Sequence, residues 1–161
     1  MNAGRILATV ALLAGTAATA SAQGTATQDV TIAVNAISQI AVTGGAQSLS
    51  VSTATAGGAP TDATATVSWA ITTNQIDQKI TAQINSAMPA NVSLSAELAA
   101  PGAATSAGAV ALTTTAQDVV NNIDTAEASG LALTYTLSAT TAAGVVASTT
   151  RTVTYTITAG P

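Results

Sequence analysis

Hydrophobic and polar residues alternate along most of this chain, which is the pattern typical of β-strands with one buried face. In the clearest run, Val67, Trp69 and Ile71 alternate with Ser68 and Ala70. Eight such runs predict eight short strands, which cover residues 30–42, 49–51, 65–71, 80–84, 92–98, 110–112, 131–137 and 153–157. Within the first run Ile37 breaks the alternation, so a bulge or kink is expected near residues 35–38.

Glycine and proline separate these runs, at Gly44-Gly45, Gly57–Pro60 and Pro101–Gly108. Short strands at regular spacing, each with one polar face, favour antiparallel sheets packed on each other. We therefore predict a single all-β domain, an antiparallel β-sandwich of the kind seen in immunoglobulin-like domains. One segment, Ala116–Ile123, is a candidate helical turn, although its polar residues are also typical of turns and helix caps.

The first 22 residues are expected to be a cleaved signal peptide. A single cation, Arg5, precedes an apolar stretch from Ile6 to Ala14, and Ala20-Ser21-Ala22 fits the A-x-A cleavage pattern. The predicted mature domain is residues 23–161, which is 161 minus 22, or 139 residues. No other segment suggests a membrane anchor, so the mature chain is expected in the periplasm, on the cell surface or outside the cell.

The charge of the mature chain restricts its partners. Two cations, Lys79 and Arg151, stand against seven carboxylates, which gives a net charge of 2 minus 7, or −5. Such a surface cannot neutralise phosphates, so a nucleic-acid partner is not expected. The chain has no Cys, so its fold must hold without the disulfides on which small exported domains often rely.

Side chains suited to catalysis are scarce. The chain has no His and no Cys, and Lys79 is the only mature lysine, so a nucleophile activated by a neighbouring base is not expected. Asp77 and Glu97 lie near predicted strand ends and are the best candidates for a pair of catalytic carboxylates, a weaker alternative. We predict a protein without enzymatic activity or a cofactor. Trp69 is expected in the core, and Tyr135 and Tyr155 as cross-strand neighbours with hydroxyls at the sheet rim.

Oxygen-bearing side chains gather between residues 118 and 127. Carboxylate and amide oxygens are the ligands that Ca²⁺ prefers, although their spacing does not match the D-x-D-x-D-G loop of known calcium-binding helix pairs. A polar loop with side-chain capping explains the same residues, and we favour it. The weak calcium candidates are Asp118, Asn121, Asn122, Asp124 and Glu127.

The first and last predicted strands lack the charges that normally protect exposed sheet edges. No charge follows Asp29 in the run to Val42, and none follows Arg151 in the run from Thr152 to Thr158. Either other elements cover these edges, or they pair with another chain, as when a terminal strand completes a neighbour's sheet in pilus assembly.

These features resemble bacterial exported β-sandwich surface proteins of the pilin and spore-coat-U-like kind. The resemblance rests on Ala20–Gln23 at the signal junction, the alternating Gln28–Val34, the Ala-, Thr- and Gly-rich body and the closing Thr152–Thr158. It widens the predicted fold to an immunoglobulin-like or pilin-like β-sandwich. It also implies a non-catalytic building block of an extracellular fibre or coat, which associates with itself or with other envelope proteins. The main alternative is a monomeric secreted module that binds carbohydrate or Ca²⁺ through loops at one end of the sandwich.

Overall fold

A computed structural model describes residues 24–160 of the chain. The predicted signal peptide and the new N-terminus at Gln23 lie outside the described residues. The chain divides into residues 1–33 and residues 34–161, and every strand found within residues 24–160 belongs to the second unit. The strands are β1 (Ser38–Thr43), β2 (Ala63–Thr73), β3 (Gln78–Ile84), β4 (Val92–Leu98), β5 (Thr105–Ser106), β6 (Val110–Ala111), β7 (Gln117–Ile123), β8 (Ala126–Ala139) and β9 (Val153–Ala159).

The strands form two antiparallel sheets, which confirms the predicted all-β class with β-sandwich architecture. One sheet has the order β1-β2-β8-β4-β6 and the other has the order β5-β7-β3-β9. The long strand β8 is central to the first sheet, where it pairs with both β2 and β4. A bulge interrupts its pairing with β2, because two residues, Ser129 and Gly130, lie opposite the single residue Ala70. Gly130 has a φ of 68°, which side-chain-bearing residues rarely adopt.

Aliphatic side chains from the facing sides of both sheets fill the core. Trp69 on β2 is fully buried, as its alternating phase predicts. Leu133 on β8 and Ile80 on β3 are also fully buried. The polar positions of the same strands, such as Thr64, Thr66 and Ser68, are exposed. The core therefore depends on alternation, which delivers one apolar side chain for every two residues of strand.

Three local predictions were wrong. Residues 117–123, expected to form a turn or helix, are strand β7, which pairs with β3 and β5. The predicted strand at Leu49–Val51 is absent, and the loop that contains it has a single bridge, between Ala54 and Pro60. The first predicted strand is shorter than expected, since residues 24–37 form no helix or strand and pairing begins only at Ser38.

One short 3₁₀-helix, Thr141–Ala143, is the only helical element among the described residues. Within residues 24–160 no helix has the length and apolar character needed to cross a membrane.

Candidate functional site

The two sides of the sandwich end in very different edge strands. On one side the outermost strands, β5 and β6, are two residues long, and such short strands offer little backbone for another chain to pair with. On the other side the outermost strands are β1, with six residues, and β9, with seven. Neither β1 nor β9 contains a charged residue, so this side lacks the usual protection against pairing with another chain. We call β1 and β9 together the open edge.

The two strands of the open edge belong to different sheets, yet some of their Cα atoms come within 8 Å of each other. Their core-facing side chains are less buried than the neighbours with which they pair. On β1, Val42 is 43% exposed, whereas its partner Trp69 on β2 is fully buried. On β9, Ile157 is only partly buried, whereas its partner Ile80 on β3 is fully buried. Apolar surface therefore reaches solvent between β1 and β9.

The N-terminal arm, defined here as residues 24–34, carries apolar side chains without a strand partner. Val30, Ile32 and Val34 occur at every second position and are 73%, 88% and 88% exposed. An extended segment with this spacing presents all three side chains on one face. Large exposed aliphatic residues in such a row are typical of a surface that another element covers.

Two tyrosines link the sheets beneath the open edge. Tyr155 on β9 donates a hydrogen bond from its hydroxyl to the hydroxyl of Tyr135 on β8, at 3.0 Å. The prediction that they pack as cross-strand neighbours was wrong, because β8 and β9 lie in different sheets. Their inward phase was predicted correctly. Burial raises the pKa of Tyr155 strongly, and the hydrogen bond to Tyr135 raises it further. Burial also raises the pKa of Tyr135, against the opposing effect of that hydrogen bond.

We predict that stability is nearly constant between about pH 6 and pH 9, where the chain has no histidine or cysteine to titrate. Above about pH 10 the unfolded chain loses its tyrosine protons while the folded chain keeps them, so the free energy of unfolding falls as pH rises. Urea unfolding at a series of pH values measures this fall. Tyr155→Phe should lower stability by about 1 kcal/mol at pH 8 by removing the hydroxyl pair, and should flatten the alkaline decline. An equally steep decline in that variant would contradict the assignment.

The structure does not bring the five calcium candidates together. Three of them, Asn122, Asp124 and Glu127, line a cleft of about 280 Å³ together with the loop Pro101–Ala104. Asp118 instead forms an ion pair with Lys79, with 3.1 Å between Nζ and Oδ1, and Asn121 pairs with Thr105 on β5. The carboxylate of Asp124 accepts a hydrogen bond from the backbone N–H of Asp77 at 3.3 Å. Among residues 24–160 no three acidic side chains lie close enough to hold a metal ion together.

We predict that Ca²⁺ leaves the melting temperature unchanged. An ion that binds only the folded state must raise the melting temperature by mass action, and the cleft offers two carboxylates, one of which already holds a backbone N–H. Thermal unfolding with Ca²⁺, and then with excess chelator, measures this. A chelator-sensitive rise that disappears in Asp124→Ala would reverse the interpretation.

The other charged candidates do not form a paired site. Asp77 immediately precedes β3 in one sheet, while Glu97 is exposed on β4 in the other sheet. The Lys79–Asp118 ion pair is partly exposed, with relative side-chain exposures of 25% and 44%. Pairs in such positions contribute little to stability.

A polar cluster that the sequence did not indicate holds residues 35–37, which directly follow the arm. Asn74, the residue after β2, accepts a hydrogen bond from the Ile37 N–H at its Oδ1, at 2.8 Å, and donates from Nδ2 to the Asn35 carbonyl, at 2.8 Å. The backbone N–H of Asn74 and the hydroxyl of Thr73 both donate to the Ile37 carbonyl, at 3.2 and 3.1 Å. In the sequence, an Asn after an alternating run indicates only a turn.

Comparison with known protein families, with curated proteins and with solved structures finds no match to this chain.

Proposed function

We propose that this protein is a non-catalytic structural subunit of a bacterial envelope, exported from the cell and joined to copies of itself through its sheet edges. The observation that carries the proposal is the complementarity of two features, an arm with three exposed aliphatic residues in a row and an open edge whose core is incompletely covered. The arm of one copy would add a strand beside β1 and β9 of the next, as in β-strand addition between chains.

The energetics favour such a junction. Burying a large aliphatic side chain stabilises a complex by roughly 1.5–3 kcal/mol, and the arm offers three of them. The unpaired backbone groups of an edge strand would gain hydrogen bonds along the added strand. Because β1 and β9 carry no charged residue, no ionised group of the open edge has to leave water when the strand is added.

The signal-like residues 1–22 support export. The resemblance of the mature sequence to pilins, in its composition and its alternating end segments, supports an extracellular fibre or coat. The arm and the open edge are different surfaces, so each contact between copies would be heterologous. Contacts of this kind continue into open filaments unless the rotation between subunits closes a ring.

Electron microscopy and sedimentation velocity of the protein that begins at Gln23 test the proposal. We expect the mean particle mass to increase with concentration and elongated particles to form. A protein that stays monomeric at every concentration would contradict it.

The second candidate function is a secreted binding module, and one observation favours it. A cleft of about 280 Å³ lies between the loop Pro101–Ala104 and residues 122–128, where β7 turns into β8. A monomer whose melting temperature rises with a soluble oligosaccharide, and does not rise when a bulky residue fills this cleft at Ala103, would support it.

A further inference from the structure

The N-terminal arm ends immediately beside a fixed point of the domain. The Asn74 side chain extends the pairing of β1 and β2 beyond Ser38 and Thr73, the last backbone pair of that ladder. Its amide serves as an additional peptide group, because its oxygen accepts from Ile37 and its nitrogen donates to Asn35. Asn35 is therefore held to the domain, and Val34 is the next residue along the chain.

The neighbouring residue, Thr73, also holds this part of the chain. Thr73 is only 4% exposed, and its hydroxyl contacts the Ile37 carbonyl at 3.1 Å and the Ser38 hydroxyl at 3.3 Å. Four hydrogen bonds from Thr73 and Asn74 thus reach residues 35–37. The first residues of a domain are usually poorly ordered unless contacts of this kind tie them to it.

We propose that Asn74 is a positioning residue that orients successive subunits of the assembly, an inference that rests on the proposed function. When residues 28–34 are paired with a neighbouring copy and residues 35–37 are held by Asn74 in their own copy, no free residue separates the two attachments. A flexible linker would let the two domains rotate. The attachment at Asn74 removes that freedom, so the neighbour is held at a defined angle.

The test compares full-length Asn74→Ala and Asn74→Asp with a matched control, Asn85→Ala. Asn85 also bonds to the backbone through its side chain, since its Oδ1 accepts from the Thr152 N–H at 3.0 Å, but it contacts a different segment. Hydrogen exchange of the Ile37 amide, measured by NMR in an Ile32→Asp background that we expect to stay monomeric, reports on the attachment alone. Bending of fibres in electron micrographs reports on subunit orientation.

We expect Asn74→Ala to increase the exchange rate of the Ile37 amide about tenfold, as for the loss of one hydrogen bond. Asn74→Asp keeps the acceptor for Ile37 and should leave that exchange rate near normal, while the Asn35 carbonyl loses its donor. Fibres of both variants should have a shorter persistence length than unaltered fibres, whereas Asn85→Ala should change neither measurement.

Three results would overturn the inference, and they can be told apart. Unchanged protection of Ile37 in Asn74→Ala would show that the attachment does not hold the arm. Lost protection with fibres as straight as those of the unaltered protein would show that the attachment does not orient subunits. An unaltered protein that forms no fibres, although Asn74→Ala exposes Ile37, would remove the orienting role through failure of the proposed function itself.

Discussion

The Ile32→Asp variant is expected to remain monomeric at concentrations at which the unaltered protein assembles. Ile32 is the central residue of the apolar row on the arm and is 88% exposed in the single chain. A carboxylate there would have to be buried without a partner in the junction between copies, which costs far more than the lost aliphatic contact. Sedimentation velocity of the variant and the unaltered protein over the same concentration series measures this loss.

Ala33→Asp is the matched control for this prediction. It adds the same charge one position further along, on the opposite face of an extended strand, and should assemble normally. Both variants should melt at the temperature of the unaltered monomer, because residues 32 and 33 are exposed and belong to no strand. A monomeric Ala33→Asp would point to general charge repulsion, and an assembling Ile32→Asp would exclude the arm from the junction.

The Leu133→Ala variant should lose about 2–5 kcal/mol of unfolding free energy. Leu133 is fully buried on the central strand β8, where it pairs with Val67 on one side and Leu98 on the other. Because β8 is paired with a strand on each side, the backbone cannot easily shift to fill the cavity that the substitution leaves. Urea unfolding of the monomer, with the slope compared as well as the midpoint, measures the loss.

Leu131→Ala is the control on the same strand, since its side chain is only partly buried against the core. We expect it to cost clearly less than Leu133→Ala, because part of its surface is already in contact with water. Equal losses at the two positions would contradict a core centred on Leu133.

Alternation predicted most of the sheets because burial on one face of a strand is a local property of the sequence. Val67, Trp69 and Ile71 illustrate this, since all three face the core on β2 as their spacing requires. Strand β7 was missed for the opposite reason. Val119 and Val120 are adjacent and both fully buried, and the pairing of β7 with β3 shifts register beside them. A bulge therefore hides the two-residue period on which the prediction depends.

Alternation does not reveal whether a partner strand is available. Residues 49–51 and 30–34 have strand-like spacing, yet both segments are unpaired in the single chain. Pairing depends on which edges the rest of the fold leaves free, and that is set by contacts distant in sequence. The two tyrosines show the same limit, because their inward phase is local but their assignment to different sheets is not. The side chain of Asn74 bonds to Ile37 and Asn35, which are 37 and 39 positions away in the sequence. No local sequence pattern can reveal contacts over such separations.

Trp69 is the one tryptophan of the chain, and its position makes the protein its own optical probe. Its side chain is fully buried, it pairs with Val42 on β1, and its indole N–H has no hydrogen-bond partner among the described residues. An indole in such apolar surroundings emits at short wavelength, and all of the tryptophan emission comes from one site beside the open edge. A strand added next to β1 would displace water from Val42 and alter that emission, so the joining of subunits could be followed in real time without attaching a dye.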